Sequence, residues 1–437
     1  MKTNNILWPY GLLFLCMALA GCPATTREMT SPEPRRLPLM PDHIYQANIH
    51  SVQLYRPPLE ATYPVIYLDA RTSLYLEFDE LLLESQPEHE YYVDIISCDM
   101  NWQPSSLLPI DFYEGFTQDR IDIYQRSEFT KIPYVHYRYE FPQEHEYFKL
   151  SGNYLLKVFR AGNPEDLVLT RRFVVADRRV GLGLKYELSG RMERQRLTDL
   201  SFEVSTRGLQ VINPAQDLKI RVLQNFRWET AAVLTQPRWY GDETFEYVLR
   251  LPDAFVGGNE FRRHEITSLR LYSESVQLIE AREAITDVYL FPDEVRRKNT
   301  YGSRRDRNGT FQIFAQEWSD ADVQADYVQN YFFLQSPPLP DSPEVYLMGA
   351  FSDWQLRPAY RLDYNTLRQR YEGEVLLKQG IYDYTYAIKG PKGHPVETPL
   401  EGPHADSENF YTILVYYRGP TDRNDHLIGF LPVNYIE

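Results

Sequence analysis

The sequence predicts an all-β protein built of tandem immunoglobulin-like or early-set β-sandwich domains. Residues that favour strands are abundant, with 34 Tyr and 22 Phe among 437 residues. Short segments alternate apolar and polar side chains, as in LYLEFDEL, where Leu74, Leu76 and Phe78 fall on one face of a strand. The sequence offers no capped amphipathic window of helical length. Short strands separated by turn residues are typical of stacked sandwiches.

The first residues predict export from the cytoplasm. An apolar run follows Lys2 and is too short for a membrane span, so we interpret residues 1–21 as a signal peptide. It ends in LAGC, which resembles the bacterial lipobox, and Cys22 is therefore the predicted lipidation site. An ordinary signal peptide with a chance cysteine is the alternative. After cleavage, residues 22–42 are expected to form a lipidated, proline-rich, semi-extended tether.

Two changes in pattern divide the rest of the chain into three predicted domains. The strand pattern restarts after ADRRVGLG, and a second break is the proline cluster SPPLPDSP at 336–343. The predicted domains are an N-terminal β-sandwich at 43–178, a middle β domain at 179–336, and a C-terminal early-set immunoglobulin-like β-sandwich at 340–437. Each is long enough to bury its own core.

The net charge and the cysteine content argue against several classes of function and of covalent cross-link. The formal net charge of −15 argues against binding to nucleic acid and against electrostatic attachment to anionic lipid, so a membrane anchor would have to be covalent. Cys16 leaves with the signal peptide and Cys22 carries the lipid. Cys98 then has no intrachain partner, and we interpret it as a small buried apolar residue, with a reactive thiol as the alternative.

The sequence lacks the common motifs of catalytic and metal sites. GxSxG, HExxH, CxxC and P-loop patterns are absent. His264 precedes a glutamate but has no second histidine four residues on, and Asp320, Asp322 and Asp326 lack the glycine and the closing glutamate of a calcium loop. We therefore expect no enzymatic activity, no catalytic residues, no metal site and no cofactor. A hydrolase with a dispersed site is the enzymatic alternative.

One basic segment stands out in this acidic chain. Residues 296–307, RRKNTYGSRRDR, carry six basic side chains and one acid, Asp306. Arginine forks pair well with carboxylates and phosphates, so the segment is a candidate contact with an acidic partner surface or with lipid phosphate. A solvated loop between two strands is the alternative. The candidate contact residues are Arg296, Arg297, Lys298, Arg304, Arg305 and Arg307.

A series of collinear segments resembles a known family. The stretch SCDMNWQPSSLLPIDFYEGF is similar to part of the N-terminal domain of the plug protein family of the type IX secretion system. The likeness continues in the same order over nearly the whole mature chain. The further segments are SGNYLLKVF (151–159), NPAQDLKIRVLQN (213–225), ADYVQNYFFL (325–334), VYLMGAFSDW (345–354) and SENFYTILVYYRG (407–419).

The resemblance implies a mechanical role. Family members are similar to a periplasmic stopper that closes a giant outer-membrane translocon barrel when no substrate is passing, and very large barrels leave an open lumen unless something fills it. We therefore expect a non-enzymatic plug whose partner is this barrel. The expected location is the periplasmic face of the outer membrane, with the lipid at Cys22 keeping the plug near its barrel.

The segment GAFSDW supports an alternative function. It resembles the opening of early-set modules found beside starch-active enzymes, in which exposed tryptophans bind sugar. Trp354 is the candidate glycan contact, but no second tryptophan follows it. A tryptophan packed into its own sandwich is the commoner outcome. An outer-membrane or surface glycan-binding lipoprotein is thus the second hypothesis, and glycan is not the partner that we expect.

Overall fold

The structure, a computed structural model, describes residues 41–434 apart from 60–61, 83–87, 186–196, 199, 251–252, 298–299, 391–392 and 405. The predicted signal peptide, Cys22 and nearly all of the predicted tether lie outside the described residues. Every α-helix within them is a single turn of four residues, so strands supply the regular structure and the all-β fold class is confirmed. The helices are Pro109–Phe112, Pro214–Asp217, Ala321–Gln324 and Thr398–Glu401, and the 3₁₀ turns are Ala350–Ser352 and Pro358–Tyr360.

The first sandwich packs two sheets over an aromatic core. Leu74, Leu76 and Phe78 point into this core, as the alternation predicts, and Phe78 stacks on Tyr137 with the ring centroids 5.1 Å apart. One sheet contains His43–Ile44, Val65–Tyr67, Tyr91–Cys98, Gln118–Arg120, Gly152–Arg160 and Leu167–Ala176. The other contains Ile49–Tyr55, Leu74–Leu81, Ile123–Arg126 and Tyr134–Phe141, and a small ribbon pairs Tyr113–Glu114 with Tyr147–Phe148.

The second sandwich is assembled from two distant parts of the chain. Strand Leu218–Gln224 pairs with Phe410–Tyr417, and this pairing places Ile220 opposite Val415 in a fully buried position. One sheet contains Gly181–Lys185, Leu200–Ser205, Trp239–Tyr240 and Thr244–Leu249. The other contains Leu218–Gln224, Arg227–Leu234, Phe410–Tyr417 and His426–Asn434, and a small ribbon pairs Leu197–Thr198 with Phe255–Val256.

The third sandwich lies in the chain between those two parts. Its strands form one eleven-stranded sheet among the described residues, and the two ends of this sheet face each other across a single core that contains Tyr382 and Val328. The strands are Arg262–Ile266, Val276–Ala281, Thr286–Leu290, Asp293–Glu294, Phe311–Ile313, Tyr327–Gln335, Val345–Met348, Arg361–Asn365, Arg370–Lys378, Gly380–Lys389 and Pro395–Val396.

The proline cluster at 336–343 does not divide the sandwiches. Tyr327–Gln335 and Val345–Met348, on either side of the cluster, belong to the same sheet, and Leu339 within it packs into the core of the third sandwich. The segments 179–336 and 340–437 therefore share sheets, and the predicted boundary at 336–340 is corrected. The boundaries between the sandwiches follow from pairing between strands that are distant in the sequence. Proline content gives no information about such pairing.

A buried apolar cluster joins the first and second sandwiches. Trp102 of the first sandwich meets Trp228 of the second edge to face, with ring centroids 4.7 Å apart. Cys98 belongs to the same cluster, and burial raises the pKa of its thiol to about 12, which favours the unreactive protonated form. Contacts of this kind combine the sandwiches into one compact unit.

None of the helices in the described ranges is long and apolar enough to cross a membrane.

Candidate functional site

The structure separates the six residues of the predicted basic contact. Arg296 is half-buried, and its guanidinium donates to Glu401 Oε2 at 2.7 Å and to the Glu260 carbonyl at 2.7 Å. Arg262 donates to the same Glu401 carboxylate, so Arg296 belongs to an internal ionic network of the third sandwich. Its guanidinium is already occupied by these partners.

The other basic residues divide into exposed and internal ones. Arg297, Arg304 and Arg305 are exposed, whereas Arg307 is half-buried, donates from its guanidinium to Gln312 Oε1 at 2.6 Å and donates its backbone N–H to Asp383. Lys298, the remaining candidate, lies outside the described residues. Three exposed arginines therefore remain available to a partner in this part of the chain.

Trp354 is packed against other parts of the protein. The residue is only 9% exposed and its ring meets Phe261 with the centroids 5.7 Å apart. The Arg227 guanidinium lies 5.0 Å from the ring centroid, and Gly309 approaches so closely that a Cβ there would clash with the indole. The exposed ring that the glycan hypothesis requires is not present at Trp354.

A buried ionic contact joins the first and third sandwiches. Lys378 Nζ lies 2.6 Å from Asp79 Oδ2, and the Tyr327 hydroxyl donates to the same oxygen at 2.7 Å. His136 Nδ1 lies 2.8 Å from the other oxygen of Asp79. Burial by itself would raise the pKa of Asp79, but the Lys378 ammonium and the bond from His136 outweigh it, so the pKa of Asp79 is lowered. The carboxylate is thus held ionised at the interface.

Three potential metal ligands lie beside this contact. Donor atoms of Glu77, His136 and Asp322 are all within 4.8 Å of one another. The guanidinium of Arg138 lies between the two carboxylates, 2.5 Å from Glu77 Oε1 and 2.8 Å from Asp322 Oδ2. An arginine therefore already supplies the positive charge that balances these acids, and we interpret the group as an ionic contact between sandwiches.

His264 illustrates how the structure uses a buried histidine. One ring nitrogen lies 2.8 Å from Asn330 Oδ1 and the other lies 3.1 Å from Ser275 Oγ. Burial lowers the pKa of His264 to about 4, because the charged imidazolium would lose its hydration. The ring is therefore neutral at pH 7 and serves as a hydrogen-bonding core residue.

An exposed apolar platform on the first sandwich was not identified from the sequence. We use this name for four exposed apolar residues of the first sandwich, Leu108, Ile110, Phe116 and Tyr147, of which Phe116 is 79% exposed. Lys149 donates to the Ile110 carbonyl, and the ribbon that pairs Tyr147–Phe148 with Tyr113–Glu114 holds the loop in place. Leu108, Ile110 and Phe116 fall in a segment without strand alternation, close to Pro109 and Gly115. Apolar side chains in a segment with turn residues were the one sequence feature that could have indicated this exposed surface.

The comparisons with known proteins identify the first sandwich. Residues 49–177 match the family model described as Type 9 secretion system plug protein 1st domain. This family is a secretion-system plug domain and is not a known enzyme family. A search of curated proteins gave no match.

The chain resembles a solved structure over most of its length. It is the crystal structure of a hypothetical protein from Parabacteroides merdae, which is 30% identical and has a TM-score of 0.85. The match covers 90% of this chain and 99% of that chain, so the two proteins are relatives with a common fold. A native alpha-2-macroglobulin fragment from Escherichia coli matches 43% of this chain and 98% of its own, with 10% identity and a TM-score of 0.13, which is too low to support a shared fold. Residues 49–177 of the chain are therefore similar to the first domain of the Type 9 secretion system plug protein family, which confirms the resemblance to that family over this part of the chain.

Proposed function

We propose that this protein is a non-enzymatic plug of the type IX secretion translocon. The match of residues 49–177 to the plug-domain family is the observation that carries the proposal. On this proposal the protein closes the periplasmic side of the giant outer-membrane barrel when no substrate is passing. The mode of action is steric, so it requires a broad and rigid body with no moving catalytic part.

The junctions between the sandwiches are suited to such a body. An apolar cluster around Trp102 and Trp228 joins the first sandwich to the second, and the buried Lys378–Asp79 pair joins the first to the third. Motion between the sandwiches would expose apolar surface at one junction and separate charges at the other. Both costs favour a plug that moves as one unit.

The proposed location is the periplasmic face of the outer membrane, with a lipid on Cys22. A lipid anchor would confine the plug close to the barrel and raise its effective concentration there. Residues 22–42 would then act as the tether. Cys22→Ala should release the protein from the membrane fraction without changing the fold of the sandwiches.

The exposed apolar platform is the proposed contact with the barrel. It includes Leu108, Ile110 and Phe116, which lie in and beside the short helix Pro109–Phe112 and the strand Tyr113–Glu114, and interface energies concentrate in a few such anchors. The exposed arginines Arg304 and Arg305 are proposed as a second, polar contact with acidic residues of the rim.

Affinity purification of the tagged, lipidated protein from solubilised outer membranes tests the proposal. Recovery of a very large β-barrel, identified by mass spectrometry, is the expected result. Phe116→Asp should lower that recovery about tenfold, because it places a charge in an apolar contact. Leu367→Asp is the matched control, since Leu367 is also a highly exposed apolar residue but lies on the third sandwich. Purification of the wild-type protein without any barrel would refute the plug function.

A further inference from the structure

Five aromatic rings form a continuous row where the three sandwiches meet. Along the row, the centroid distances are 6.2 Å from Tyr67 to Phe430, 5.5 Å from Phe430 to Tyr63, 5.2 Å from Tyr63 to Phe226 and 4.6 Å from Phe226 to Phe410. Tyr63 is buried, and the other four rings are half-buried. They line a groove of about 500 Å³, a volume in the usual range for sites that bind a ligand.

The groove is cationic although the protein is strongly acidic. Its charged side chains are Arg56 of the first sandwich and Arg307 of the third, and no acidic residue lines it within the described part of the chain. Arg307 bonds the neutral amide of Gln312, and neither arginine forms an ion pair with another described residue. Outside the groove, burial raises the pKa of Asp383, and the Arg307 charge partly offsets that rise. In a chain of net charge −15, two guanidinium groups on a lining with no acid among its described residues favour a ligand that carries carboxylates.

An open strand edge runs beside the rings. His426–Asn434 is the outer strand of its sheet, and it contributes Phe430 to the groove. Backbone N–H groups of Asp177 and Arg179 cover its first part by bonding the carbonyls of Leu427 and Ile428. From Phe430 onward, its backbone bonds only strand Phe410–Tyr417 among the described residues. An extended peptide can add to such an edge through main-chain hydrogen bonds at positions other than Pro432, which has no N–H to donate.

The backbone at Phe226 is held in an unfavourable conformation. Asn225 and Phe226 form the two-residue turn between paired Gln224 and Arg227, with φ of 51° and 60°. Glycine is preferred at the second position of a turn with two positive φ values, and a bulky residue there costs about 1–3 kcal/mol. The contacts of the Phe226 ring with Tyr63 and Phe410 offset this cost and place the ring in the aromatic row.

We propose that this groove binds an extended acidic segment of a partner protein. Apolar side chains of the segment pack on the aromatic row, its carboxylates pair with Arg56 and Arg307, and its backbone adds to the edge of His426–Asn434. All three sandwiches contribute to the groove, so it exists only when they are assembled. The inference goes beyond the plug function, and it does not depend on translocon binding.

Fluorescence anisotropy of a labelled peptide with the full-length protein in detergent tests the proposal. The probe is an acetylated hexapeptide that alternates glutamate with valine and phenylalanine, compared with peptides in which lysine replaces glutamate or glycine replaces the apolar residues. We expect saturable binding of the first peptide only. Arg56→Gln and Arg307→Gln should each weaken it about tenfold, because each removes a charge-assisted contact. The control is Arg207→Gln, a side chain that is 89% exposed on the second sandwich.

Phe226→Gly tests the ring itself. Relief of the turn offsets only part of the packing that is lost on Tyr63 and Phe410, so the variant should remain folded with a lower midpoint of thermal unfolding, while peptide affinity falls about tenfold. Arg56→Gln removes no ring, so its unchanged midpoint beside weakened binding separates binding from folding. Equal weakening by Arg207→Gln, or equal binding of the lysine peptide, would overturn the proposal. Displacement of the peptide by phosphatidylglycerol vesicles or by maltoheptaose would also overturn it, because it would identify a lipid or a glycan as the occupant. Absence of peptide binding beside normal barrel recovery would refute this inference alone.

Discussion

Lys378 on the third sandwich and Asp79 on the first form an ion pair with a separation of 2.6 Å, and their side chains are 1% and 0% exposed. The two residues are 299 positions apart in the sequence. The Lys378 ammonium also lies 4.2 Å from the centre of the Tyr134 ring and donates to the carbonyl of Asp322. A lysine with this many partners fixes the relative position of two sandwiches.

Removal of the Lys378 charge should destabilise the protein strongly. Lys378→Met leaves the Asp79 carboxylate buried without its main partner, which costs about 3–5 kcal/mol. The measurement is the free energy of unfolding in urea. Lys389→Met is the matched control, because its pair with Glu344 is largely exposed and should contribute nothing measurable. Equal stabilities of the two variants would contradict the interpretation of the pair as an interface contact.

Acidification should weaken the protein through His264. Its pKa is about 4 in the folded state and about 6.5 when unfolded, so the unfolded chain binds the proton more tightly between these values. Stability from this group is present above pH 6.5 and is lost as the pH falls towards 4. Between pH 7 and pH 5 the loss is about 2 kcal/mol.

Urea denaturation of His264→Gln at both pH values isolates this effect from other titrating groups. The decrease in stability between pH 7 and pH 5 should be smaller in this variant than in the wild type. His145→Gln, at an exposed position, should keep the wild-type decrease. If His264→Gln retained the full decrease, the low pKa of the buried ring would be disproved.

Truncation of Trp102 should loosen the junction between the first and second sandwiches. Trp102→Ala leaves a cavity against Trp228 and should cost about 3–5 kcal/mol, as is usual for a buried aromatic side chain. Trp239→Ala removes a ring that is 54% exposed and should change stability little. Denaturation curves and limited proteolysis of both variants provide the comparison. Similar losses for both would indicate that the cluster does not hold the junction.

Substitution of Trp354 should lower the stability of the protein and should not change its binding to glycans. The ring is packed against Phe261, so Trp354→Ala should cost about 3–5 kcal/mol. Affinity gel electrophoresis in pullulan should show no retardation of the wild type or the variant. Retardation of the wild type alone, with normal stability of the variant, would restore the glycan-binding hypothesis.

Some features could be predicted because they depend on near neighbours in the chain. Alternation in residues 74–81 identified a strand with Leu74, Leu76 and Phe78 facing inward, and all three are buried. The collinear motifs indicated a resemblance to the plug family, and the match at 49–177 confirms that resemblance for this part of the chain. Alternation also predicts that the polar side chains of this strand face solvent, but Glu77 and Asp79 are buried. Their burial results from packing against another sandwich, which local alternation cannot reveal.

For the candidate site too, the sequence predicted composition, whereas the fold decided where the side chains lie. The sequence marked residues 296–307 as unusually basic, but the fold directs Arg296 into an ionic network and Arg307 to the aromatic groove. Phe226 and Phe430 lie 204 positions apart by their numbers and meet only because each packs on Tyr63. No pattern in the sequence near either residue indicates that they line the same groove.

The sequence by itself determined the all-β class, the inward face of the strand at 74–81 and the resemblance to the plug family, because period-two alternation and short motifs are local properties of the chain. The tertiary structure alone decided that Leu218–Gln224 pairs with Phe410–Tyr417, that Trp354 is buried and that Lys378 meets Asp79. The physical reason is that burial and ion pairing depend on which surface packs opposite a residue. In this protein that surface often belongs to a strand more than a hundred residues away, as the pairing of Ile220 with Val415 illustrates.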